Sequence, residues 1–447
     1  MDSFLQEVAT FKKSWPNVEH IDLVFTDINA TPRGKRIPIE SLEKLSKGVA
    51  LPLSTISLDT KGNVVETAGL GEDLGEPDHL CFPITNTLIP TSNPSVGQIL
   101  LTMTDDNIST PHPLLARTIV ENMLDELKER GQYPVIAMEL EFYLIDKKRG
   151  PNGELQTAVN PSKNIRETET EVYHLDGLDD YAEFLQELNS LAVIQKLNTS
   201  GALSESAPGQ FEINFNHSEN VLKACDDIIF AKRLIRQIAN KHGFDATFMA
   251  KPFHDQAGSG QHVHISLLNA NGRNLFSNLD GSSSELFYQT ISAMLAQARG
   301  TMALLCPNVN SYRRFIPGAY VPTTANWGEN HRGVALRVPI SDAKNRRIEH
   351  RIAGADVNPY LLVATVLGGV LSSPNYLASQ CPPSLNEPAQ HLPTRMPEAL
   401  TALDSSELPE QFSRDFIDLY LACKRSELAD FERVVTPLEI DWMLHSA

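Results

Sequence analysis

The stretch VIAMELEFYLID, residues 135–146, sets two glutamates, Glu139 and Glu141, inside an otherwise apolar run. Its β-branched and aromatic content predicts a strand. Side chains alternate along a strand, so Ile136, Met138, Leu140, Phe142 and Leu144 share one face. Glu139 and Glu141 share the other, with attachment points roughly 6–7 Å apart at ~3.3 Å per residue. Taken alone, this describes an amphipathic strand with its glutamates in water.

The pattern recurs. In GQFEINFNH (209–217), Phe211, Ile213 and Phe215 oppose Glu212, Asn214 and Asn216. In QHVHISLL (261–268), Val263, Ile265 and Leu267 oppose His262, His264 and Ser266. In RRIEHRI (346–352), Ile348, His350 and Ile352 oppose Arg347, Glu349 and Arg351. Solvated strand faces are rich in Lys, Thr, Ser and Gln; these carry Glu, His and Arg. Carboxylates crowded on one sheet repel and acquire raised pKa values, a strain that divalent cations relieve. Hard oxygen ligands with one imidazole suit Mg²⁺ or Mn²⁺ rather than structural zinc, and nearby arginines suit phosphate oxygens. Together they point to phosphoryl transfer, in which catalysis is mostly positioning and charge neutralisation. The loop KPFHDQAGSGQHVHIS (251–266) adds Gly258-Ser259-Gly260 just before the His262/His264 strand, where glycines let backbone N–H groups approach an anion.

The bulk properties restrict partners. A formal charge of −18 disfavours nucleic acid and anionic membrane and favours cationic ligands such as amines. The five cysteines are scattered with no CxxC, which predicts a reducing compartment without disulfides. The start, MDSFLQEVATFKKSW, lacks the apolar core of a signal peptide. LLVATVLGGVL (361–371) is too short to span a bilayer and reads as a buried helix. A cytoplasmic protein is expected.

IDLVFTDINATPRGKRIPI (21–39) predicts two strands around a turn at Thr31-Pro32. Texture changes at ISTPHP (108–113), where Pro113 is read as sitting early in a helix. The predicted boundary separates residues 1–107 from 108–447. Residues 146–163 read as a loop, 179–196 and 226–241 as helices, the Pro-rich stretch 381–410 as a surface excursion, and 408–445 as helical.

The motifs ELEFYL (139–144), ESAPGQFEIN (205–214), KPF…GSGQHVHIS (251–266), NSYRRFIPG (310–318), NHRGVALRVP (330–339), RRIEHR (346–351) and NPY (358–360) together resemble the glutamine synthetase family over nearly the whole chain. The resemblance implies an α+β fold: a small N-terminal β-grasp domain (1–107) and a large catalytic domain (108–447) whose curved antiparallel sheet forms a half-barrel flanked by helices. It implies homo-oligomeric rings, of six or doubled to twelve, in which a neighbour's N-terminal domain completes each site. It also implies a reaction through γ-glutamyl phosphate formed from glutamate and ATP, with two or more Mg²⁺ or Mn²⁺ ions per site. Carried across, Glu141, Glu205 and Glu212 match the ligands of one ion, and Glu139, His262 and Glu349 those of a second. Arg314, Arg351 and Gly258 match the glutamate pocket. His264, Ser266, Arg337 and Arg347 match nucleotide contacts. Arg332, Arg337 and Glu349 match the groups around phosphoryl transfer.

The sequence departs from ammonia-using members at two carboxylates. Tyr320 in IPGAYVP (316–322) and Pro52 in LPLST (51–55) stand where those members carry acids. The departures favour ligation of glutamate to a primary amine, either a polyamine or a hydrophobic or aromatic monoamine, in a partly apolar pocket of Tyr320, Pro52, Leu53 and Trp327. Glutamine synthesis from ammonia and a catalytically silent ligand sensor are the alternatives. Ala257 replaces the family's asparagine before Gly258. The absence of tyrosine between Tyr376 and Tyr420 predicts that control by adenylylation is lacking.

Overall fold

The computed structural model describes residues 3–105, 108–169, 172–316, 318–378, 390–408 and 410–446. After helix α1 (Ser3–Ser14), a first sheet forms from β1 (His20–Thr26), β2 (Pro32–Pro38), β3 (Val49–Pro52), β4 (Asp78–Pro83), β5 (Ile89–Pro90), β6 (Val96–Asp105) and β7 (Ile108–Pro111). Its main path runs β2-β1-β6-β4-β3, with β1 and β6 parallel. The β1–β2 turn is set by Asp27, whose Oδ1 accepts from the N–H of Asn29 and Thr31 while Oδ2 accepts from Arg33 Nε at 2.8 Å. β7 still pairs with β6, so the first sheet ends at Pro111, a few residues past the texture change.

The rest of the chain supplies α2 (Ala116–Glu129), β8 (Tyr133–Asp146), the small hairpin β9 (Val159–Asn160) and β10 (Ile165–Arg166), α3 (Leu175–Asp179), α4 (Ala182–Ile194), β11 (Thr199–Ser204), β12 (Gln210–Phe215), α5 (Val221–Lys241), β13 (Phe244–Thr247) and β14 (Gln261–Leu268). It continues with α6 (Glu285–Leu305), β15 (Trp327–Glu329), β16 (Leu336–Val338), β17 (Ile348–His350), α7 (Pro359–Ser372), α8 (Met396–Asp404), α9 (Arg414–Glu432) and α10 (Pro437–Met443). The second sheet runs β11-β12-β8-β14-β17-β16-β15, with β13 beside β8. It is antiparallel except for β15 and β16, which are parallel.

The apolar strand faces pack on helices. Leu140, Phe142, Val263, Ile265 and Ile348 are completely buried. α7 is buried along its length against α2, α5 and α6. It is capped by Asn358, whose Oδ1 accepts from Tyr360 N. No described helix is long and apolar enough to cross a membrane. The first sheet docks on α5, the start of α7 and α9: Asp22 pairs with Arg233, Asn358 Nδ2 donates to Ile28 O at 3.1 Å, and the buried Lys424 donates to Asn29.

Four expectations are corrected. Pro113 precedes its helix, which starts at Ala116. The 146–163 loop contains a strand, β9, and the Pro-rich excursion contains α8. There Met396, Ala399, Leu400 and Leu403 recur at helical spacing and bury against α6, and Pro397 in the first turn costs no hydrogen bond. The C-terminal helix is broken between α9 and α10, where Thr436 caps a second start in a capping box. Residues 379–389, with Cys381 and much of the segment expected to lack an adenylylation site, lie outside the described residues.

Candidate active site

Register decides which side chains meet. β12 and β8 pair Glu212 with Glu141 and Asn214 with Glu139. β8 and β14 pair Glu139 with His262 and Ala137 with His264. β14 and β17 pair His264 with Glu349, and β17 and β16 pair Glu349 with Arg337. Because pleating sends alternate residues to opposite faces, Glu212, Glu141, Glu139, His262, His264, Glu349 and Arg337 all lie on the face away from the helices.

Their ligand atoms converge. Glu139, His262 and Glu349 form one group able to hold a metal ion, each offering an atom within 4.8 Å of the others. Glu141, Glu212 and His262 form a second, so His262 belongs to both. Glu205 stands just outside. It lies past the end of β11, in a turn where its carboxylate accepts from Ser206 N at 3.2 Å. It remains close enough for its charge to act on Glu141.

The electrostatics are those of a crowded acidic cluster. Burial, then the charge of Glu205, pushes the Glu141 carboxyl up to about 8, although Gly260 N donates to its Oε2 at 2.7 Å. Burial and the neighbouring glutamates, Glu139 first, raise Glu212 as well. Burial also raises Glu139, but His262 Nδ1 at 2.8 Å and His264 Nε2 at 2.9 Å override it and hold this carboxyl well below its usual range. Glu349 is fully buried and is likewise lowered, because the charges of His264, His262 and Arg351 outweigh the burial. Arg337 Nη1 donates to Glu349 Oε2 at 2.7 Å, and Arg351 Nη1 donates to its Oε1. Carboxylates forced to keep protons near neutrality, beside a shared imidazole, form a donor set that fits hard divalent cations.

The glycine-rich loop closes one end. Arg314 is buried beneath it and donates from Nη1 to Ile352 O at 3.0 Å. A Cβ on Gly258 would meet Arg314 Cγ at 2.7 Å and Ala250 O at 2.9 Å. Gly258→Ala is therefore expected to displace Arg314 and, at the glutamate pocket that the sequence resemblance implies here, to raise the substrate KM about tenfold, equivalent to about 1.4 kcal/mol. Steady-state kinetics checks this, and an unchanged KM would show that the loop yields freely.

The remaining predicted residues divide. Arg347 Nε reaches His264 Nδ1 at 3.4 Å, and Ser266 donates to Arg346 O at 3.0 Å, so both border the histidine row. Arg332 is exposed, but its backbone carbonyl accepts from Arg351 Nε at 3.2 Å. The predicted amine pocket does not assemble within the chain. Tyr320 is 76% exposed at φ 52°, and Pro52 is exposed on the edge strand of the first sheet. Trp327 is a correction: the register Trp327–Leu336–His350–Val263 puts it on the core face, 3% exposed and against Tyr288. Leu53 is likewise core, 6% exposed.

Two participants escaped the sequence reading. Tyr173 accepts a hydrogen bond from Arg332 Nη1 at 2.6 Å and lies 5.9 Å beneath its guanidinium. It sits in an irregular turn at φ 60°, where no periodicity announces it. Lys251 holds the loop by donating to Gln256 O; only the KPF motif hinted at it.

Comparison with known proteins bears on this geometry. The glutamine synthetase catalytic-domain family matches residues 114–443. The chain belongs to the glutamine synthetase family. It is 44% identical to γ-glutamylputrescine synthetase PuuA of Escherichia coli (strain K12) over 100% of this chain and 96% of that one. It is 30% identical to a glutamate–isopropylamine ligase of a Pseudomonas species over 95% and 94% of the two chains. An ADP complex of GmaS superposes with a TM-score of 0.81 at 25% identity, covering 98% of this chain and 99% of that one.

Proposed function

We propose that this member of the family ligates the γ-carboxyl of glutamate to a primary amine, converting ATP to ADP and phosphate through γ-glutamyl phosphate. The observation that carries the reading is the convergence of Glu139, Glu141, Glu212, His262 and Glu349, with Arg337 and Arg351, on one sheet face. The relatives that ligate glutamate to putrescine or isopropylamine support the amine as acceptor.

In this reading Glu139, His262 and Glu349 hold one Mg²⁺ or Mn²⁺, and Glu141 and Glu212, with Glu205 swung inward, hold another. Bound ions would supply charge neutralisation for the phosphates of ATP. His264, Ser266, Arg347 and Arg337 orient the nucleotide. Arg314, Arg351 and Gly258 seat glutamate so that its γ-carboxylate faces the terminal phosphorus. Arg332 and Arg337 offset charge that builds on the phosphoryl oxygens. Tyr173 holds the Arg332 guanidinium in place.

The amine pocket then joins Tyr320 to Pro52 of a neighbouring subunit in a ring of six, or a double ring of twelve. Self-association is supported by the exposed apolar C-terminal run Val434, Val435, Leu438, Trp442 and Leu444. Removing residues 434–447 is expected to yield smaller particles in sedimentation velocity. An unchanged sedimentation coefficient would remove that support. We place the chain in the cytoplasm, consistent with Cys81, Cys225, Cys306 and Cys423 being free and buried.

An amine panel tests the function: phosphate release with Mg²⁺ or Mn²⁺, glutamate, ATP and ammonium, monoamines or di- and polyamines. Diamines and polyamines are expected to act at the lowest concentrations, since the Tyr320 ring face can take a cation. Tyr320→Glu is expected to shift the kcat/KM ratio toward ammonium by about tenfold, or about 1.4 kcal/mol. Saturation by ammonium far below any organic amine would instead assign glutamine synthesis. No turnover with any amine would leave a ligand sensor.

A further inference from the structure

On the far side of the glutamate loop lies a cavity of about 590 Å³, between the β1–β2 turn, one face of α5 and the segments at 247–249 and 307–310. That volume is in the range of small-molecule sites. Its charge is opposite to that of the chain. Lys232, Arg233 and Arg236 line it, and Asp356 is the one carboxylate among the described lining residues.

Each cation is only partly neutralised. Arg233 pairs with Asp22, but that carboxylate also binds Arg36, and Arg233 Nε is buried without an acceptor. Lys232 Nζ donates to two uncharged acceptors, Ala355 O at 2.7 Å and Val357 O at 3.1 Å. Burial pulls the Lys232 ammonium down to about 7, against the opposing charge of Asp356. Arg236 rests 5.0 Å over the Phe248 ring, with Lys232 5.7 Å over the same ring. Asp356 Oδ2 accepts from Asn308 and Ser311, both at 2.7 Å, while its Oδ1 is buried without a hydrogen-bond partner, so a single carboxylate faces three cations.

The wall is shared with the glutamate loop. Asn310 Oδ1 accepts from Lys251 N at 2.9 Å, and its Nδ2 donates to Lys251 O at 2.8 Å. Lys251 in turn ties down Gln256, two residues from Gly258. Ser311 opens the short helix that ends in Arg314.

We propose that this cavity is an effector site for a small metabolite carrying two or more negative charges, with Arg236 as its principal contact, and that occupancy alters glutamate affinity through the Asn310–Lys251 and Ser311–Arg314 connections. Phe248, Met249 and Pro307 receive its carbon skeleton or linker. The binding part stands apart from the ligase reading; the effect on glutamate rests on it.

The test is isothermal titration of the full-length protein with citrate and, separately, pyrophosphate, with Mg²⁺, ADP and glutamate saturating to fill the catalytic face. Saturable binding with a Kd of about 1 mM or tighter is expected for at least one probe, corresponding to about −4 kcal/mol. Arg236→Gln is expected to weaken it at least tenfold, while Arg236→Lys keeps most of it. Arg236 is exposed, so neither change threatens the fold. Citrate alone would identify a polycarboxylate site, and pyrophosphate alone a phosphate site. No saturable heat with either, or equal binding by Arg236→Gln, overturns the proposal. In turnover, the bound probe is expected to change the KM for glutamate at least threefold in the parent and not in Arg236→Gln. Binding that leaves this KM unmoved overturns the coupling. Absence of ligase turnover would count against the proposed function alone, because the calorimetry does not depend on it.

Discussion

Replacing Glu349 with glutamine is expected to lower kcat/KM at least a thousandfold, about 4 kcal/mol of transition-state stabilisation. The side chain lies on an interior strand of the sheet, fully buried, in register with His264 on one neighbouring strand and Arg337 on the other. Arg337 and Arg351 each donate to one of its oxygens, and the surrounding cations keep it ionised. The amide preserves volume but removes the charge, leaving two guanidinium groups without their shared counterion and one metal-ligand group with Glu139 as its single carboxylate. Losing one partner of a buried ion pair costs about 3–5 kcal/mol, and the partial exposure of Arg337 brings this to about 2 kcal/mol of stability. Phosphate-release kinetics and urea unfolding would measure the two effects. Activity within tenfold of the parent would rule Glu349 out of the chemistry.

Ionisation of Glu141 is expected to cost the metal-free chain about 2 kcal/mol of stability between pH 6.5 and 8.5, and Mn²⁺ or Mg²⁺ to restore it. Glu141 holds its proton up to about pH 8 in the folded chain, whereas the unfolded chain releases it near 4.5. The folded state therefore binds more protons across this window. Its stability is full below the unfolded value and is lost as pH rises through the folded one. Glu212 acts in the same direction. His262 and His350, lowered by burial, act oppositely, but their effect is complete above the ordinary histidine value of 6.5. Lys232, pulled down to about 7 by burial, also acts oppositely and does so within the window, so the Glu141 contribution is read as the difference between the parent and Glu141→Gln. A divalent ion replaces the protons, so its stabilising effect should grow with pH. Urea midpoints in EDTA and in Mn²⁺, with Glu141→Gln expected to flatten the metal-free slope, provide the check. A metal-free pH slope that Glu141→Gln leaves unchanged would reverse the account.

The strand faces were legible because their signal is local. A period of two over six to eight residues sorts every side chain to one of two sides, whatever the strand's neighbours. α7 was legible because eleven successive small and apolar residues leave no polar face. α8 was missed because prolines around it masked a helical period of only nine residues. Trp327 was misplaced because a strand of three residues carries too short a period to fix its face; pairing with Leu336 fixes it instead.

Local patterning settled the donors: which glutamates, histidines and arginines share a strand face, and that a net charge of −18 coexists with arginines gathered on those faces. Tertiary structure alone decided the grouping. His262 joins Glu141 and Glu212 while Glu205 turns toward Ser206, and Tyr173 reaches Arg332 from 159 positions away. Strand period is written in neighbouring residues, but distances between strands depend on sheet register and loop closure, which no local pattern contains.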